Sequence, residues 1–199
     1  MIAGIILAAG ASSRMGSPKA LLEYRGETFI QRLVRVLSPV CGRVVVVLGH
    51  HSADIRPRVP PSAIVAINPA PERGQLSSLQ TGLAVLPADA EGFLFTPVDS
   101  PAVEIQTIER VAEQFRRRDP ATLLVIPRIQ THAGLKRGHP VFAARAIADE
   151  LLALPPTAMA SDVIHGHIPQ TVYVDVDDPG ILTDIDDREA YRRLSETAK

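Results

Sequence analysis

LAAGASSRMGSPK, residues Leu7 to Lys19, follows directly on the apolar run Ile2–Leu7. The run reads as a buried strand, and the stretch after it as a loop of small residues that carries Arg14 and then Lys19. Small side chains let backbone N–H groups come close to an anion, and two cations beside them can neutralise a polyphosphate. The stretch therefore predicts a strand, a phosphate-binding loop and the start of an α/β unit. A plain small-residue turn after a strand is the competing reading, but it gives no reason for two long cations beside Gly10 and Gly16.

Outward from this junction, short apolar runs alternate with helical patterns. Ile2–Leu7, Val44–Leu48, Ile64–Ile67, Phe93–Phe95, Thr122–Ile126 and Thr171–Val174 read as strands, mostly covered on both faces. Phe29–Leu37, Leu76–Leu86, Ile105–Arg118 and Ala143–Leu154 carry helical spacing, and Glu189–Thr197 reads as a short closing helix. Arg56–Pro61 and Leu154–Thr157 are Pro-rich loops. The alternation predicts an α/β, three-layer, Rossmann-like fold with a mostly parallel sheet, formed as a single domain over residues 1–199. In open sheets of this kind, ligands bind beyond the carboxyl ends of the strands. The Leu7–Lys19 loop, Asn68 and Asp99 all lie just after predicted strands, so they are expected to converge.

The loop is neither of the two common nucleotide fingerprints. A Walker A loop needs Lys directly after its second Gly, and here Ser17 and Pro18 separate Gly16 from Lys19. A dinucleotide fingerprint needs a second Gly two residues after the first, and residue 12 is Ser.

Composition narrows the class. A chain of 199 residues can bury a real core. Its 46% hydrophobic content suits a soluble α/β protein, and a formal net charge of −1 gives no footprint for nucleic acid. Cys41 is the one cysteine, so there is no internal disulfide. Ile2–Leu7 is too short for a signal or a membrane span, which predicts a cytoplasmic protein with no membrane partner.

The phrase L-A-A-G-x-S-x-R-M-G-x-x-K, with GQLSSL (Gly74–Leu79), TPVDSP (Thr96–Pro101), RGHPV (Arg137–Val141) and LTDIDDREAY (Leu182–Tyr191), resembles the molybdenum cofactor nucleotidyltransferase family in motif and order. That family includes molybdopterin cytidylyltransferases and guanylyltransferases. LAAG and RGHPV look more like the cytidylyltransferase branch. Where that branch usually reads GDxGAR, this chain has TAMASDVIHGH (Thr157–His167), a departure that bears on the acceptor more than on the nucleotide chemistry.

The resemblance implies a nucleotidyltransferase fold with an antiparallel strand at Val141–Ala143. It implies Mg²⁺-dependent transfer of CMP from CTP to molybdopterin cofactor, with release of pyrophosphate. A guanylyltransferase, a sugar- or alditol-phosphate nucleotidyltransferase, and a non-catalytic nucleotide-binding partner of molybdoenzymes are the alternatives.

Such transfer is mostly positioning and charge neutralisation, and the chain supplies candidates for each part. Arg14 and Lys19 would contact the phosphates, a guanidinium bridging two oxygens and an ammonium acting as a point charge. With Asp99 they form the catalytic set. The nucleotide set is Leu7, Ala8, Ala9, Gly10, Ser12, Ser13, Arg14 and Lys19, joined by Asn68, Gly74 and Ser78. Ser77 and Ser78 can equally be helix-start residues. Asp99 is the best metal ligand, since Mg²⁺ needs only one or two carboxylates beside phosphate oxygens. Asp99 or Ser100 can also cap a helix after Pro101. The resemblance implies a second metal contact from Asp184 or Asp186, while Asp186 or Asp187 can cap the closing helix. Lys136, Arg137, Gly138 and His139 form the acceptor-binding set, although a lone histidine is as often structural.

Overall fold

The computed structural model describes residues 1–197. Its elements are β1 (Ile2–Ala8), β2 (Glu23–Tyr24), β3 (Glu27–Thr28), α1 (Phe29–Leu37), β4 (Arg43–Leu48), α2 (Ser52–Ile55), β5 (Ile64–Ile67) and α3 (Gln75–Leu83). They continue with β6 (Gly92–Pro97), α4 (Ile105–Arg116), β7 (Leu124–Thr131), β8 (Gly134–Arg137), β9 (Val141–Ala144), α5 (Arg145–Ala153), α6 (Ala160–Gly166), β10 (Thr171–Asp175) and α7 (Arg188–Thr197).

Period-two alternation within the apolar runs builds the layers. On β4, Val44, Val46 and Leu48 enter one core while Val45 and Val47 enter the other. On β1, Ile6 and Ala8 share the first core, and Ile5 and Leu7 the second. Helices α1, α4 and α7 cover the first face through residues such as Leu33, Val111 and Leu194. Helices α3 and α5 cover the second through Leu79, Leu83, Ile147 and Leu151. Each such buried side chain contributes roughly 1.5–3 kcal/mol, so both faces of the sheet must be covered for the chain to fold. Helix α1 starts sharply because Thr28 and Gln31 form a reciprocal capping box.

The main sheet has eight strands among the described residues, in the order β10-β7-β9-β6-β1-β4-β5, with β8 also paired to β7. β1 runs parallel to β4 and β6, β4 to β5, and β7 to β10. The expected antiparallel strand is β9, which sits between β6 and β7. β8 is a second antiparallel strand that the sequence reading missed. β7 itself runs five residues beyond the predicted Ile126, through Pro127, to Thr131. A proline lacks the N–H of a ladder position and so reads as a strand end, but here its carbonyl accepts the Gly138 N–H at 3.0 Å. Thr157–His167, unassigned from the sequence, holds α6. No helix among the described residues is long and apolar enough to cross a membrane. The Cys41 thiol is buried and pushed up to about 12 by that burial, which leaves it unreactive.

Candidate functional site

The carboxyl ends of β1 and β6 lie side by side, and the Val98 N–H donates to the Leu7 carbonyl at 3.0 Å. Past Ala8 the chain enters the small-residue loop. Ser12 takes a positive φ of 52°, and its Oγ accepts from the Lys19 N–H at 3.0 Å, folding the loop back on itself. The loop is braced from β4: the His50 N–H donates to the Ala9 carbonyl at 3.1 Å, and His51 Nε2 lies 3.2 Å from the Ala11 carbonyl oxygen.

Lys19 and Asp99 therefore meet, although 80 positions separate them. Lys19 Nζ donates to Asp99 Oδ2 at 2.8 Å and to Asp186 Oδ1 at 2.9 Å. Arg14 donates to the same Asp186 oxygen at 3.1 Å. The strip carrying Asp186 is pinned alongside, because the Ile185 N–H donates to the Asp99 carbonyl at 2.9 Å. Burial opposes charge on Lys19, but the two carboxylates outweigh it and hold its pKa above the ordinary lysine range. The Lys19 ammonium holds the Asp186 carboxyl below its usual range.

Asp184 is pushed the other way by burial and then by the nearby charges of Asp99 and Asp186. One oxygen from each of Asp99, Asp184 and Asp186 lies within 4.8 Å of the others. That hard-oxygen set suits Mg²⁺ or Mn²⁺.

The competing roles of these aspartates separate cleanly. Asp187 caps α7, its Oδ1 accepting from the Ala190 N–H at 2.8 Å, so Asp186 is left for the site. The helix after Pro101, α4, begins only at Ile105 behind Glu104, too far on for Asp99 or Ser100 to cap it, and the Asp99 carboxylate faces Lys19 instead.

Two cavities meet here. The first, of about 280 Å³, is lined by Leu7, Ala8, Ala9, Gly10, Ser12, Ser13, Arg14, Lys19, Gly74, Ser78, Asp99 and Asp186, with Ala20, Ile55, Pro71, Gln75, Pro97 and Val98. A Cβ at Gly10 would meet nothing within 4 Å, which leaves open space over the loop. The second, of about 520 Å³, is lined by Arg137, Gly138, His139, Asp184 and four residues of α6 over the apolar floor of Phe95, Ile126 and Val141. Asp99, Pro97 and Gln75 line both.

Three residues behave differently from the sequence reading. Asn68 does not line the first cavity. It is buried, and its amide is consumed inside the protein: Nδ2 donates to Ser77 and Ser78 Oγ at 2.9 and 3.1 Å, and Oδ1 accepts from the Ala70 N–H. Asn68 thus positions the start of α3, and Ser78 keeps its place on the cavity wall. Lys136 lies in the β7–β8 ladder opposite Ile129, exposed and outside the second cavity. Gln75, on the wall between the cavities, was missed; its one signal was its place inside GQLSSL, beside Gly74 (φ 91°).

His139 and Gly138 hold the second cavity together. The His139 ring meets Phe95 edge-on at 6.0 Å, and its backbone N–H donates to the Ile181 carbonyl at 3.0 Å. Burial pushes its pKa down, and its Nδ1 is buried with no hydrogen-bond partner among the described residues. A Cβ at Gly138 would overlap the Ile181 carbonyl. Gly138→Ala is therefore expected to separate the 137–139 and 181–184 segments and deform the second cavity. A ligand of the second cavity should bind several-fold more weakly, with binding in the first cavity unchanged; equal loss in both would contradict this placement.

Comparison with known proteins follows the same outline. Residues 4–172 match the MobA-like NTP transferase domain family. The molybdenum cofactor guanylyltransferase of Sinorhizobium fredii is 33% identical over 151 residues, covering 74% of this chain and 65% of that protein. The chain spans less than two thirds of the length of such curated relatives. Among solved structures, Rv0371c from Mycobacterium tuberculosis H37Rv is 30% identical, with a TM-score of 0.81 over 98% of this chain and 97% of that one. A structure of Rv0371c in complex with manganese gives a TM-score of 0.77 at 28% identity, covering 98% of each chain.

Proposed function

We propose that this chain, which belongs to the MobA-like NTP transferase family, is a divalent-metal-dependent nucleotidyltransferase that passes a nucleoside monophosphate from a nucleoside triphosphate to a phosphorylated acceptor of the molybdopterin class. The observation that carries the reading is the meeting of two cavities at Asp99, one bearing two cations and a small-residue loop, the other apolar-floored. A triphosphate suits the first and the acceptor the second, which would bring the acceptor's phosphate oxygen to the α-phosphorus in line with the departing pyrophosphate. The new P–O bond forms as the α–β bridging bond breaks, and no covalent enzyme intermediate is needed.

Arg14 and Lys19 would turn from Asp186 to the phosphate oxygens and stabilise the charge that grows on the leaving group. Asp99, Asp184 and Asp186 would hold the divalent ion, whose contribution is neutralisation of phosphate charge. A solved relative complexed with manganese supports a divalent ion here.

The curated relatives, named as guanylyltransferases, favour GTP as the donor. CTP is the second reading, favoured by LAAG and RGHPV. The intact set of Arg14, Lys19 and three carboxylates speaks against a binding-only module. The test is a single turnover with nucleotide labelled at the α-phosphate. Label should pass to the acceptor and none to the protein; label retained by the protein, or passing to water alone, would contradict the reading.

A further inference from the structure

The three clustered carboxylates come from two segments that lie outside the strands. Asp99 follows β6, and Asp184 and Asp186 lie on the strip between β10 and α7. Ligands on separate segments serve one ion only if their separation is held to within roughly 0.5 Å. Near the end of the strip, the Ile185 N–H donates to the Asp99 carbonyl at 2.9 Å. At its start, Asp178 makes two contacts with one carboxylate. Its Oδ1 accepts from the Gly180 N–H at 2.8 Å, which sets the single turn Pro179–Leu182, and its Oδ2 accepts from the Glu104 N–H at 2.9 Å. Glu104 stands at the start of α4, so the second contact fastens the strip to a packed helix. A carboxylate suits that place, because both its oxygens accept and negative charge is favoured at a helix start. Beside this bridge Gly180 lies against Ala102, whose carbonyl a Cβ would overlap. The Asp99 segment is itself held from α1: the buried Arg32 donates through Nε to the Pro101 carbonyl at 2.7 Å and through Nη2 to the Val103 carbonyl at 3.2 Å.

We propose that Asp178 is a positioning residue for the carboxylate group: by bridging Gly180 and Glu104 it sets how closely Asp184 and Asp186 approach Asp99, without itself touching a bound ion. This rests on the divalent-metal part of the reading above. Asp178 lines neither the first nor the second cavity, so a change there reaches the site through the strip.

The test is titration of Mn²⁺ alone, followed by its electron paramagnetic resonance signal, into the wild-type protein, Asp178→Ala, Asp178→Asn and Thr28→Ala, each with an unfolding curve and amide exchange. Asp178→Ala should bind Mn²⁺ about tenfold more weakly, the scale of loss when a group that orients metal ligands is removed. Its Ile185 N–H should exchange faster than in wild type, while the Val98 N–H, paired to the Leu7 carbonyl, keeps its protection. Asp178→Asn, with one oxygen for two N–H groups, should fall between. Thr28→Ala loses the cap of α1, and stability with it, but should keep the wild-type Mn²⁺ affinity. A folded Asp178→Ala that binds Mn²⁺ like wild type would overturn the proposal. An equal loss in Thr28→Ala would overturn it too, by tracing the effect to stability alone. If Asp178→Ala does not fold, Asp178→Asn decides: weaker Mn²⁺ binding supports the role, and wild-type binding overturns it. Weaker Mn²⁺ binding by the Asp178 variants of a protein that shows no nucleotidyl transfer would support the role and overturn only the reaction class. A wild type that binds no Mn²⁺ would overturn the role itself.

Discussion

Asp99→Ala is expected to lower turnover by about a hundred- to a thousandfold, in the range seen when one group stabilising transition-state charge is removed. Asp99 lines both cavities, and it is one of the three carboxylates within ligand distance of one another. The fold should survive the change. The strip beside it is held by the Asp99 backbone carbonyl, which alanine retains, and Lys19 keeps its second partner in Asp186. The check is the turnover rate measured beside a urea unfolding curve. Near-normal turnover, or an unfolded variant, would contradict the role given to Asp99.

Lys19→Ala is expected to cost a similar factor in turnover, about a hundred- to a thousandfold, but to change metal binding in the opposite sense. The Lys19 ammonium pairs with both Asp99 and Asp186, and Arg14 adds a second positive charge at Asp186. A metal ion that takes these carboxylates must take them from Lys19. The wild-type protein should therefore bind Mn²⁺ weakly by itself and more tightly once a triphosphate offers the two cations another partner. Lys19→Ala should bind Mn²⁺ alone more tightly than wild type does, while losing turnover. Titration of Mn²⁺ by calorimetry, with and without a non-hydrolysable nucleotide, reads this directly. Unchanged or weaker Mn²⁺ binding by the variant would show that Lys19 does not compete for the site.

Much of the fold was legible because the parallel strands are covered on both faces. Val44–Leu48 and Ile2–Leu7 are continuous apolar runs, and such runs leave little choice of element. The elements that were missed bury little. β8 is mostly exposed, with Leu135 about half exposed, and α6 has no fully buried residue. β2 and β3 are two residues each, joined through Arg25 and Gly26 at positive φ. Hydrophobic periodicity reports poorly on segments that bury so few side chains.

The site divides along the same line. Arg14, Lys19 and Asp99 were readable because a small-residue loop and a strand end are local signals. Asp186 could not be told from Asp187 in sequence, since either carboxylate suits a cap; the Ala190 contact separates them. Asn68 sits where a ligand contact was expected, but its amide is spent on Ser77, Ser78 and Ala70, a three-dimensional fact that spacing cannot carry. Lys136 was grouped with Arg137 by adjacency, and strand alternation sends it to the opposite face.

The joining of a nucleotide donor to a phosphorylated acceptor is what the two cavities meeting at Asp99 are proposed to carry out. Its most direct test is pyrophosphate release from GTP, CTP, ATP and UTP in parallel, with a divalent ion and molybdopterin cofactor. Acceptor-dependent release is expected from GTP, or from CTP on the second reading, and none when the acceptor is left out. Release that ignores the acceptor, or no release from any of the four by a folded protein that binds nucleotide, would contradict it.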